Sequence, residues 1–293
     1  MSTTLPLFWK LSSPSKKERI DASVRLISAL EQFQALHVPQ SKSDGSDNEG
    51  GDALDVLNSQ DVSYSIRRLV RGLASPRESS RLGFSVALTE VRHLLYRTQR
   101  VLISPPQLLS RIDTVTCAQV LALIVESTKR QGSMSGLEER DVLFARLFGV
   151  TAVVRSGLLV RQTPLPGTAS STSDSPVSSL EAYEAVLRHL LELGEAKSWL
   201  RESAWWVIGL AIDGVQASSV PWKTQALDAT IRAVYSKDED SFWTQDRVAI
   251  TLKLQPLMPN HQWVNTLAPV FKGHNIFASN NLSSLGKILK VGL

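Results

Sequence analysis

The chain has 293 residues, 43% of them hydrophobic and 20% charged, a balance that suits a large packed core and excludes a disordered polymer. Its 32 Lys and Arg against 28 Asp and Glu leave a net charge of +4, too mild to announce nucleic-acid binding unless the charge is concentrated somewhere. A single cysteine, Cys117, excludes an internal disulfide framework and any cysteine-based zinc site, and it fits a reducing compartment.

Met1 to Lys10 has no basic segment ahead of an apolar run and does not read as a signal peptide. From Ser15 onward the apolar residues recur at helical spacing. Ser15 with Glu18, Ser75 with Glu78, Ser135 with Glu138 and Ser178 with Glu181 are candidate capping boxes, in which hydroxyl and carboxylate satisfy orphaned amides at a helix start. Helices are predicted near 15–36, 61–73, 76–99, 105–129, 136–158, 178–195, 197–213, 222–236 and 244–255, the fourth with a break at Thr114 to Thr116. No alternating run with a glycine-containing turn argues for a sheet. The longest uncharged stretch, between Lys253 and Lys272, holds three prolines, two asparagines and a histidine, which a lipid-facing helix would not tolerate, so no membrane span is expected.

Two segments interrupt the helical pattern. Residues 41–55 carry five acidic residues and glycines with only Lys42 as a base, and cannot bury enough to offset their ordering entropy. Residues 162–179 are rich in Ser, Thr, Pro and Gly. Both are expected to be disordered or mobile insertions, not domain linkers, in a single region spanning 1–293. Helix after helix joined by short turns, about two per forty-odd residues, predicts an all-α stack of antiparallel helix pairs of armadillo or HEAT-like kind. The helix at 136–158 has one apolar stripe of Leu143, Leu147, Val150, Val154 and Leu158 and a second of Phe144 and Phe148, so neighbours should sandwich it on two sides.

Signals for catalysis are nearly absent. Gly286-Lys287 lacks the partners of a phosphate loop, with Asn281 at the required glycine and Ile288 after the lysine. His37, His93, His189, His261 and His274 never fall at metal-ligand spacing, and Asp238-Glu239-Asp240 reads as a solvated turn. Cys117 lies in an apolar run that should raise its thiol pKa, which disqualifies it as a nucleophile. No catalytic residue, metal or cofactor is assigned, and no small-molecule substrate.

Charge is where the chain is unusual. Between Ile66 and Arg111 stand nine arginines and no lysine against only Glu78 and Glu90, and arginine suits bidentate recognition of phosphate or carboxylate. With Val62, Ile66, Leu69 and Leu73 as the buried stripe, Arg67, Arg68 and Arg71 project outward with Tyr64 and are the candidate nucleic-acid or partner-binding residues. A solvated face with cations near a helix C-terminus is the competing reading. Arg77 and Arg81 line up with the buried stripe Phe84, Leu88, Val91 and Leu95, and should be structural, bonding carbonyls of the preceding helix or a carboxylate. Trp199, Trp205 and Trp206 read as core packing between helices, with a partner-binding hot spot as the alternative.

The run from Asp61 to Glu90, DVSYSIRRLVRGLASPRESSRLGFSVALTE, resembles the N-terminal signature of the Myb-binding protein 1A family, also called DNA polymerase phi or DNA polymerase V. Glu138 to Ala152, EERDVLFARLFGVTA, and Ser156 to Leu159, SGLL, resemble its second block, with Ala145 where the family pattern has glycine. Shorter matches are Phe8 to Leu11, FWKL, and Lys197 to Glu202, KSWLRE. The family's members are several times longer, so the chain looks like an N-terminal portion or a truncated product. The resemblance implies a helical-repeat protein of the nucleus and nucleolus that associates with ribosomal DNA or RNA and with transcription and ribosome-assembly proteins. It also carries a polymerase name, yet nucleotidyl transfer needs carboxylates that hold two metal ions, and no motif such as Asp-Thr-Asp supplies them. A DNA polymerase and a protein-only adaptor are the alternatives to a non-enzymatic scaffold.

Overall fold

The computed structural model describes residues 4–37, 53–88, 114–129, 132–165, 177–235 and 243–290. Its described elements are helical, with no strand among them. Residues 1–182 and 183–293 form two compact units.

In the first unit, α1 (Leu5–Leu11) has Pro6 in its first turn and buries Phe8 and Leu11. α2 (Lys16–Ala35) is capped by Ser15, whose hydroxyl accepts from the Glu18 amide, while the Glu18 carboxylate accepts from Ser13 and leaves the capping box half made. α3 (Ala53–Leu57) and α4 (Gln60–Gly72) follow, the latter capped by Ser59, and α5 runs Glu78–Leu88. α6 (Cys117–Ser127) begins at a complete capping box of Thr116 and Gln119. α7 (Gly136–Arg155) begins at the predicted box of Ser135 and Glu138, with both bonds present. Gly157, at φ 75°, turns the chain into a short 3-10 segment, Leu158–Val160.

α1 packs on α2 and α5, α2 on α4 and α5, α4 on α5 and α6, and α7 on α5 and α6. Leu26, Ile27, Leu30, Ile66, Leu69 and Leu73 are fully buried along these contacts. α5 comes so close to α1 that a Cβ on Gly83 would stand 1.7 Å from the Leu11 carbonyl oxygen. The expectation for α7 holds: α5 and α6 cover it, Leu147, Val150 and Val154 are buried, and Phe144 and Phe148 stack at 6.1 Å between ring centroids.

The second unit begins in the first turn of α8 (Leu180–Ala196) and continues through α9 (Ser198–Ala217), α10 (Lys223–Tyr235) and α11 (Gln245–Leu254). α12 (Trp263–Leu267), a 3-10 turn at Ser279–Asn281 and α13 (Leu282–Lys290) complete it. α9 packs on α10 and α11 through Leu200, Ala204, Val207, Ile208, Ala211 and Ile212. Tyr183 is fully buried and its hydroxyl pairs with Thr230 at 2.8 Å, which satisfies both hydroxyls at the α8 and α10 contact. Buried Asn281 accepts from the Lys272 amide and donates to the Lys272 and Asn275 carbonyls, replacing secondary structure in that loop.

Several sequence expectations are corrected. Residues 53–55, assigned to the acidic insertion, belong to α3, and Val177 and Ser178, assigned to the second insertion, are buried. The rest of the first insertion, through residue 52, and residues 166–176 of the second lie outside the described residues, as do 89–99 and 105–113 of two predicted helices. Ser75 and Glu78 make no capping box, because the Ser75 hydroxyl takes the Arg77 amide and the helix starts only at Glu78. The Ser178 hydroxyl donates to the Arg161 carbonyl, and Ser179 accepts from the Ala182 amide in its place. α1, α12 and α13 were not foreseen.

Candidate nucleic-acid and partner interface

α4 is strongly amphipathic because Val62, Ile66, Leu69 and Val70 repeat at helical spacing, and this phase turns Tyr64 and Arg71 to solvent. Arg71 is exposed in the last turn, where a cation meets the negative end of the helix dipole. Arg67 and Arg68 are half-buried, not exposed as the sequence phase suggested. Arg67 reaches the Asp55 carboxylate of α3 at 2.8 Å, an ion pair on partly solvated side chains. The Arg68 guanidinium lies 4.6 Å from the centroid of the Phe8 ring and 5.8 Å from that of Tyr64, and it donates to the Tyr64 hydroxyl. Phe8 and Tyr64 meet edge to face at 6.4 Å.

This stack holds Arg68 in place without neutralising it. A guanidinium over an aromatic face keeps the in-plane donors that Tyr64 does not take available to an anion, since the ring occupies only the π face of the ion. The next residue of α1, Trp9, is 74% exposed, and Lys10 beside it is exposed. A fixed arginine, an exposed arginine and an exposed indole are the ingredients of a surface that can meet phosphate and stack bases. Sequence reasoning treated Phe8 and Trp9 only as part of a family match, although Pro6 followed by Phe8 and Leu11 was a usable helix signal.

The arginines assigned to structure divide. Arg81 is buried, donates to the Ser75 carbonyl at 2.8 Å and to the Asp141 carboxylate at 2.9 Å, and lies over the Phe144 ring at 5.5 Å. Arg77 is exposed, because it precedes the first turn of α5 and helical counting back from Phe84 does not apply to it. Arg92, Arg97, Arg100 and Arg111 lie outside the described residues.

The tryptophans also depart from the core-packing expectation. Trp199 and Trp206, seven residues apart on one face of α9, are exposed, and only Trp205 is half-buried. Burial pushes the Cys117 thiol up to about 12, as its apolar setting suggested. Tyr183 and Tyr235 are pushed up to about 12 by burial, partly opposed by their bonds to Thr230 and Thr251. Among the described residues no three His, Cys, Asp or Glu side chains gather to hold a metal, and no helix is long and apolar enough to cross a membrane. Asp238, Glu239 and Asp240 lie outside the described residues.

Comparison with known proteins adds to this geometry. The chain is similar to the rDNA transcriptional regulator pol5 of Schizosaccharomyces pombe, with 30% identity over 70% of this chain and 16% of that protein. It is similar to the rDNA transcriptional regulator POL5 of Saccharomyces cerevisiae, with 27% identity over 97% of this chain and 25% of that protein. Myb-binding protein 1A of Rattus norvegicus shares 27% identity over 54% of this chain and 9% of its own length. The chain thus spans a quarter or less of each of these relatives. No solved structure matches it. The pattern of the family described as DNA polymerase phi runs through residues 64–292, well over half of the sequence, and the chain belongs to that family.

Proposed function

We propose that this chain is part of a non-enzymatic scaffold that binds DNA and protein in ribosomal RNA gene transcription and ribosome biogenesis, in the nucleolus, on a stack of armadillo-like helix pairs. The outward edge of α4 and α1 is the main support: Arg68 fixed over Phe8, Arg71 exposed on α4, and Trp9 exposed on α1. Arg68 and Arg71 make the phosphate contacts, and Arg67, drawn to Asp55, sets the border of the patch. Two relatives are named as regulators of rDNA transcription, which fits a binding protein better than a polymerase.

Affinity purification with and without nuclease treatment tests the reading. Ribosomal DNA or RNA should copurify before treatment, and proteins held through nucleic acid should be lost after it. Retention of every partner after treatment, with no bound nucleic acid, favours the protein-only adaptor. The polymerase reading, which rests on the family name, requires primer extension that is abolished by carboxylate substitutions.

A further inference from the structure

The second unit carries a groove of about 540 Å³ between α9 and α11 that the reading above does not use. One wall is the stripe Glu202, Trp206, Leu210 and Asp213 of α9, and the other is Asp246, Ala249, Ile250 and Lys253 of α11. On α9 these residues are three or four apart, and on α11 Ala249 and Ile250 each lie three or four from Asp246 and Lys253, so each wall is one continuous helix face. Glu202 to Asp213 spans about 16 Å along α9 at 1.5 Å per residue, the length of about three turns of a docked helix. Gly209 lies where the two helices approach: a Cβ placed on it would lie 3.7 Å from Ile250 and 3.8 Å from the Lys253 stem.

The charge of the lining is one-sided. Lys253 is its single cation, and its ammonium contacts both Asp213 carboxylate oxygens at 2.6 Å, which neutralises that end. At the other end Glu202 and Asp246 remain. The Asp246 carboxyl is held above the usual range, first by burial and further by the Glu202 charge, against a bond from its own amide and the opposing charge of Arg201. A cation delivered there would offset both the cost of burying the carboxylate and the repulsion from Glu202. Between the two ends Trp206 is 53% exposed, a large rigid face of the kind that supplies binding energy and that can also take a cation on its π surface.

We infer that this groove docks a cationic amphipathic helix of a partner protein, with a Lys or Arg between Glu202 and Asp246 and apolar side chains over Trp206 and Leu210. A nucleic acid is disfavoured by the two carboxylates at the open end, and an uncharged apolar helix leaves them unpaired. The groove lies wholly in the second unit, so the inference stands apart from the arginine edge of α4.

The test uses the whole 293-residue chain and a fluorescein-labelled amphipathic helix of leucine and lysine. A leucine-glutamate helix and a scrambled leucine-lysine peptide are the controls. Fluorescence anisotropy should show saturable micromolar binding of the leucine-lysine helix only, weakened about tenfold by Glu202→Lys and by Trp206→Ala. Arg71→Ala should leave that affinity unchanged. Glu202 is exposed, so its substitution does not threaten the fold, and circular dichroism melts confirm that Trp206→Ala is folded. Equal binding of the leucine-glutamate or scrambled peptide, no saturation below about 1 mM, or undiminished affinity of Glu202→Lys overturns the inference.

Discussion

Arg77 and Arg81 are one helical turn apart by count, yet only Arg81 is tied into the core. Its guanidinium answers a carbonyl, a carboxylate and a ring at once, and truncating it leaves Asp141 buried without that partner. Arg81→Ala should therefore cost about 3 kcal/mol, whereas Arg77→Ala should stay within about 0.5 kcal/mol, both read by urea denaturation. Comparable losses in the two variants would contradict the geometry. Cys117 gives a second residue-scale prediction. With its thiol pKa pushed up to about 12 by burial, it should resist a disulfide reagent at pH 8 in the folded chain and react at once in guanidinium. Fast modification of the native protein would show that α6 opens or packs differently.

At the scale of elements, local signals were legible where side chain and backbone answer each other within four residues. Ser135 and Glu138 announce α7 because each satisfies the other's amide, and Thr116 with Gln119 does the same for α6 at the predicted break. Ser75 and Ser178 carry the same spacing and fail, because the Arg77 amide takes the first hydroxyl and the Arg161 carbonyl the second, which spacing alone does not reveal. The phase of α9 failed for a similar reason. Trp199 and Trp206 are apolar enough for a core, but Leu200, Ala204, Val207 and Ile208 already fill the packed face, and the indoles are left to solvent. α12 and α13 are short and set among prolines and asparagines, where tertiary bonds such as those of Asn281 decide the structure.

Two tests belong to elements. The backbone of α1 leaves no room at Gly83, so Gly83→Ala should destabilise the first unit by about 1–3 kcal/mol, and a neutral effect would mean that α1 and α5 do not approach as described. The Glu138 carboxyl is held below the ordinary value of 4.5 by bonds from the Ser135 amide and hydroxyl. Its folded pKa is depressed, so the capping stabilisation is present above the unfolded pKa and fades as pH falls through the folded one. Carboxyl NMR titration should place Glu138 below 4.5 in the native chain and return it towards 4.5 in Ser135→Ala. An unchanged midpoint in the variant would remove the capping box from the account.

For the whole molecule, an all-helical architecture was legible because amphipathic spacing and repeated caps agree over most of the length. The candidate interface was legible only in outline: the concentration of arginine pointed to α4, but the contacts of Arg67 with Asp55 and of Arg68 with Phe8 join residues 12 and 60 positions apart. These contacts change what each arginine offers a ligand. The measurement that tests the central claim most directly is the salt dependence of duplex DNA binding by the wild-type chain and by Arg68→Ala/Arg71→Ala. If both arginines touch phosphate, the log-log slope should fall by about 0.9 for each contact, about 1.8 in the double variant, with the melting temperature little changed. Wild-type slope and affinity in a folded double variant would contradict the assignment of this face to nucleic acid.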